Sequence, residues 1–157
     1  PVNGMTQGVQ PVISYNYGAE RWNLVREVRS MLLRTSLAVG VVVAVLFVAI
    51  PRTLVGLFVD VDSAAGILAI EGFPYYATGV VFFILNVAII GYYQSIERTR
   101  QATLFVLLRG LIFVLPCFML LPKMFGISGI WLAMPISETL TLAVVLFMSF
   151  VARTKRA

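Results

Sequence analysis

Four apolar blocks, each long enough to cross a lipid bilayer, constrain this chain more than any other feature of it. They run approximately from Leu32 to Ile50, Phe73 to Tyr93, Ala102 to Pro122 and Ile127 to Val151. A helix needs about 20 predominantly apolar residues to cross a hydrocarbon core of about 30 Å. Only 12% of the residues are charged, against about a quarter in soluble domains. The expected fold class is therefore all-α and integral to the membrane, a polytopic bundle of transmembrane helices.

The charges between the blocks alternate in sign. Glu20 to Arg34 carries Arg21, Arg26, Arg29 and Arg34 against Glu20 and Glu27. Pro51 to Gly72 reverses this, with Asp60, Asp62 and Glu71 against Arg52. The next turn is basic through Arg98 and Arg100 beside Glu97; Lys123 stands alone in the following link, and the tail ends in Arg153, Lys155 and Arg156. Positive charge marks the cytoplasmic side of short loops. The expected topology is multi-pass in the inner membrane, with the Arg98 turn and the C-terminus cytoplasmic and the Asp60 loop outside. The net charge of +5 reads as a topology signal, and no nucleic-acid partner is expected; the lipid bilayer is.

The residues divide into four segments. Residues 1–19 mix apolar and small polar residues around Pro11 and read as the cytoplasmic end of a truncated transmembrane helix. In that stretch Gly4 and Gly8 are spaced for close helix contact. Residues 20–31 form a cytoplasmic basic segment, 32–151 the four-helix membrane region, and 152–157 a cytoplasmic basic tail. The start lacks the basic and apolar regions of a signal peptide, and the chain reads as the later part of something longer.

Chemistry is narrowed by what the residues are. There is no histidine and a single cysteine, Cys117, which lies inside an apolar block. No P-loop, dinucleotide fingerprint or nucleophile elbow occurs. The expectation is no enzyme, no bound metal and no cofactor.

Residues Gly8 to Ala19, GVQPVISYNYGA, resemble the segment that opens the later part of the MATE family, the multidrug and toxic compound extrusion transporters. An arginine pair in the next turn, the run PRTLVGLFVD from Pro51 to Asp60, and GISGIWLAMPISE from Gly126 to Glu138 resemble that family in the same order. The motif positions are Gln10, Pro11, Asn16, Tyr17 and Gly18 at the start, and Pro135 in the last span. The resemblance implies a two-lobed fold of twelve helices working by alternating access. This chain would supply four full spans of the second lobe plus the end of a fifth, and its missing N-terminal lobe would be a partner. The implied function is secondary active multidrug efflux, exchanging cationic or amphipathic small molecules for H+ or Na+. Some family members bind their cation through an acidic residue in the helix matching Phe73–Tyr93, which has no carboxylate here. The alternatives are a lipid-linked saccharide flippase of the same superfamily and a truncated, non-transporting membrane subunit. A flippase would need several basic residues in its cavity, and only Arg109 lies within a span.

Polar residues inside spans are costly in lipid and are therefore candidates for function. Glu138 lies about 16 Å from the outer end of the last span, counting 1.5 Å per residue. It is either a proton, cation or substrate site, or a carboxylate paired with Arg109 to fix two helices together. Arg109, two turns into the third span, either pairs with Glu138 or snorkels to the headgroups. Asn86 reads as an interhelical hydrogen bond, and Gln94 closes the second span beside Tyr92 and Tyr93. The tyrosines at 75, 76, 92 and 93 read as an interfacial belt before a cavity lining.

Overall fold

The computed structural model describes residues 2–154, and all its regular elements are helical. They are α1 (Val2–Gly18), α2 (Trp22–Ala49), α3 (Pro51–Gly56), α4 (Ala64–Ser95), α5 (Thr99–Leu107), a π-helical turn (Leu108–Ile112), α6 (Val114–Phe125) and α7 (Ile127–Thr154). Lys155 and Arg156 of the basic tail lie outside the described residues. Among those described, four helical stretches are long and apolar enough to cross a membrane: Trp22–Ala49, Ala64–Ser95, Thr99–Phe125 and Ile127–Ser149. Each overlaps one of the apolar blocks read from the sequence, and no block runs more than two residues past its stretch. The protein is a multi-pass membrane helix bundle.

Helix α4 is the axis of this bundle. It packs against α1, α2, α3, α5 and α7, and at 32 residues it is about 48 Å long. Its buried face is rich in small residues, including Gly72, Ala77, Gly79, Ala88, Gly91 and Ser95. In lipid, helices gain by close van der Waals approach rather than by escaping water, so small residues mark the contacts. Gly79 lets the two backbones approach, because a Cβ there would stand 2.6 Å from the Cα of Pro135 in α7. The pair Gly4 and Gly8 does not play this part. No atom lies within 4 Å of where a Cβ would sit on either, because α1 turns its Thr6, Ile13 and Asn16 face inward instead.

The third span is broken. Between α5 and α6 the π turn is closed by Phe113 N–H donating to the Leu108 carbonyl at 2.9 Å. Pro116 supplies a cause: it has no N–H for the carbonyl four residues back, at Ile112, and its ring crowds that carbonyl. The extra residue in a π turn rotates the following helix face by about 100°.

Two turns at one end of the bundle share a design. Glu20 N–H donates to Tyr17 and Arg21 N–H to Asn16 at 3.1 and 2.9 Å; Glu97 N–H donates to Gln94 and Arg98 N–H to Tyr93 at 3.1 and 3.0 Å. Both glutamates hold the left-handed backbone, with φ of 55° and 59°. The arginine follows at once and the next helix starts. At the opposite end, Arg52 binds Asp62 at 2.9 Å, and Ser63 caps α4 by accepting from Gly66 N–H at 3.0 Å. The basic and acidic loops therefore lie at opposite ends, as the charge alternation requires.

Gly79→Val should lower stability by about 2 kcal/mol through overpacking against the α7 backbone. Glu97→Gly should raise it by about 1 kcal/mol by relieving left-handed strain. Thermal unfolding of the purified protein in detergent measures both.

Candidate functional site

Three polar side chains from three spans meet in the centre of the bundle. Glu138 of α7 has no solvent exposure, and neither has Asn86 of α4. Arg109 of the π turn donates from Nε to Glu138 Oε1 at 2.6 Å. Asn86 Nδ2 donates to Glu138 Oε2 at 2.8 Å and to the Glu138 carbonyl at 3.0 Å. Both carboxylate oxygens are thus engaged, one by a charge and one by an amide. Arg109 pairs instead of snorkelling, and its guanidinium carbon stands 4.2 Å from the centre of the Phe83 ring.

Local structure explains how each side chain arrives. The π turn sets Arg109 toward α7, and its side chain keeps 20% exposure. Close approach at Gly79 and Pro135 brings α4 and α7 together two turns before Asn86 on α4. Pro135 has no N–H for the Trp131 carbonyl four residues back; beside it, Thr139 Oγ1 donates to the Pro135 carbonyl at 2.8 Å and Ser137 Oγ to the Met134 carbonyl at 2.9 Å. The bonds to the Glu138 carboxylate are charge-assisted, and such bonds are about twice as strong as neutral ones. One buried acceptor, Asn86 Oδ1, has no partner.

The remaining polar residue named from the spans, Gln94, is not in this cluster but is joined to it. Gln10 Nε2 donates to Gln94 Oε1 at 3.2 Å. Both line a cavity of about 180 Å³ between α1, α4 and α5 whose wall also includes Arg109. The chain of contacts runs from the cavity through Arg109 to Glu138 and Asn86. Sequence reasoning missed Thr6 and Phe83. Thr6 is buried on the same cavity with no partner for its hydroxyl. The signal was present, since Asn3, Thr6, Gln7 and Gln10 follow the i, i+3, i+4, i+7 spacing of one helical face.

A second cavity, about 220 Å³ and almost wholly apolar, lies between α2, α4 and α7 and is lined by Phe47, Tyr76, Phe83 and Met134 among others. Phe83 belongs to both places. The tyrosines divide: Tyr75 is exposed, Tyr76 meets Trp131 edge-on at 5.6 Å, and Tyr93 is buried with its hydroxyl 3.0 Å from Ser149 Oγ. Tyr93 is a core residue and not part of a belt. Of the motif positions, Asn16 Nδ2 closes the end of α1 by donating to Val12 at 2.8 Å, and Tyr17 meets Trp22 edge-on at 5.2 Å. Pro11 and Gly18 face outward.

Comparison with known proteins settles the ancestry of this arrangement. The MatE family model matches residues 1–119. The chain belongs to the MatE family. It is 24% identical over 161 residues to the multidrug export protein MepA of Staphylococcus aureus strain MSSA476, and 23% identical to that of strain RF122. The MepA protein of Staphylococcus saprophyticus is 21% identical over 156 residues. These alignments cover 98% of the chain and 34% of each relative, so the chain spans about a third of the length of the proteins it matches. No solved structure matches it. The MatE match covers α1 to the middle of α6, with Asn86 and Arg109; Glu138 lies beyond it, on a helix reached by the MepA alignments.

Removing one member of a buried ion pair strands the other, at a cost of about 3 kcal/mol. Arg109→Met and Glu138→Leu should each lose about that much, and the double variant should lose clearly less than their sum. A double-mutant cycle on thermal unfolding measures the coupling, and additive losses would show that the pair is not formed in solution.

Proposed function

We propose that this chain forms part of a secondary active exporter that moves cationic or amphipathic small molecules outward in exchange for a cation, by alternating access. The observation that supports it most is Glu138, fully buried in a membrane-spanning helix and held by Arg109, whose other face borders a polar cavity. The related MepA proteins are named multidrug export proteins, and the same activity fits here once a second lobe completes the fold. The orientation follows from charge: the arginine-rich end with the C-terminus in the cytoplasm, the Asp60 loop outside, the whole in the inner membrane.

The coupling cation that suits this site is a proton. A sodium ion at Glu138 would stand beside the Arg109 guanidinium and be repelled by it. No group of three acidic or sulfur ligands able to hold a metal ion occurs among the described residues. A proton taken up by Glu138 removes the negative charge, and the bond from Arg109 loses about half its strength. Arg109 then turns toward the cavity, where the side-chain oxygens of Gln10 and Gln94 accept its N–H groups. Its departure frees Phe83, which also lines the apolar cavity, so proton uptake reshapes the pocket that suits an amphipathic molecule. Direct contact between Glu138 and a substrate is not available in this conformation, because its side chain has no exposure.

The test is efflux of a fluorescent cationic dye from cells expressing the full-length protein. Glu138→Gln at matched membrane expression should lower efflux at least tenfold, and a protonophore should abolish wild-type efflux while sodium removal leaves it intact. Unchanged efflux in Glu138→Gln would make the triad a scaffold, and sodium dependence would move the coupling elsewhere.

A further inference from the structure

A cavity lined by arginines lies away from the triad and takes no part in the proposed exchange. It measures about 410 Å³ and sits at the basic end of the bundle, where α1 meets α2, α4 meets α5, and α7 approaches its end. Arg26, Arg29 and Arg98 line it together with Tyr17, Trp22 and Tyr92, and among the described residues no carboxylate does. None of these arginines forms an ion pair; the ion pairs found among the described residues are Arg52–Asp62 and Arg109–Glu138. Arg29 lies over the Tyr92 ring at 4.9 Å, and Arg98 reaches only Gln101, at 3.4 Å.

A second feature points the same way. The N-termini of α2 and α5 border this cavity through Trp22 and Arg98. Neither has a side-chain cap, and neither has an acidic residue in its first turn. Each therefore presents uncompensated positive dipole toward an anion. The two left-handed glutamates, Glu20 and Glu97, make the turns at these ends, but neither lines the cavity. Three arginines converge here without a carboxylate among the described residues that line the cavity.

We infer that this cavity binds the phosphate-bearing headgroup of an anionic phospholipid from the adjoining leaflet. Basic pockets between transmembrane helices at the membrane surface are suited to such headgroups, and tyrosine and tryptophan at this level mark the headgroup zone. A lipid fits better than a free phosphate compound because the helix face carrying Arg26 continues through Leu37 and Val41, both exposed and apolar. An acyl chain can follow that stripe into the bilayer while the phosphate stays among the arginines. The inference does not rest on the efflux reading, since the site shares no residue with the triad.

Native mass spectrometry of the full-length protein with defined lipids tests it. Wild type should retain phosphatidylglycerol at least tenfold over phosphatidylcholine, and Arg26→Gln/Arg29→Gln/Arg98→Gln should bring the two to parity. The lysine triple variant, which keeps the charge, should retain part of the preference, and Arg100→Gln, outside the cavity, should retain all of it. If the glutamine triple variant fails to fold, Arg29→Gln alone should lower the preference about threefold. Absence of a preference in wild type, or its persistence in the triple and single glutamine variants, would overturn the inference. Displacement of bound phosphatidylglycerol by millimolar inorganic phosphate would overturn the lipid assignment in favour of a soluble phosphate compound. Binding is read without transport, so neither result bears on Glu138.

Discussion

Burying a carboxyl group in a membrane-spanning helix is among the most expensive things a bundle of this kind can do. Glu138 has no exposure, and the structure around it is organised by that fact. A positive charge has to come from a neighbouring span, so Arg109 must face α7. Regular α-helical geometry is abandoned at Leu108–Ile112, where Arg109 sits. The second carboxylate oxygen needs a donor, so Asn86 must come within hydrogen-bond reach, and α4 and α7 must touch. Gly79 against Pro135 permits that contact. Proline, glycine and the π turn are not separate irregularities but parts of one solution to a buried charge.

Much of this was legible in the residues. The four spans followed from block length, and the segregation of basic and acidic ends followed from the order of the charges. Glu138, Arg109 and Asn86 stood out because lipid makes polar residues costly, and depth counting along the helices allowed the first two to meet. The π turn was not legible: Pro116 signals a bend, but whether a helix answers with a kink or an extra residue depends on its neighbours. Gly4 and Gly8 misled, because small residues at that spacing permit contact without choosing a partner. Tyr93 misled for a related reason. Its place at the end of a block suited an interface, while Ser149 and Phe105, distant in sequence, draw it inside. The basic cavity could not be anticipated, since it is assembled where five helices meet.

Two sites with opposite chemistry result. In the centre, opposite charges cancel and the pair is closed to solvent on the Glu138 side. At the basic end, like charges gather around an open cavity, and the dipoles of two helices reinforce them. Glu138 and Asn86 have no exposure, while the arginines of the second site line a cavity that is open to the outside. Phe83 ties the central site to an apolar pocket, and nothing comparable ties it to the basic one.

The π turn carries a consequence of its own. A helix with one residue more than its turn requires holds spare backbone, and that surplus can travel by exchanging one carbonyl partner at a time. On the α6 side Pro116 offers no N–H to receive it, so the passage is blocked there. On the α5 side every residue from Arg100 to Leu107 has an amide to offer. A shift of the surplus residue toward α5 would carry Arg109 with it, because Arg109 lies within the π turn.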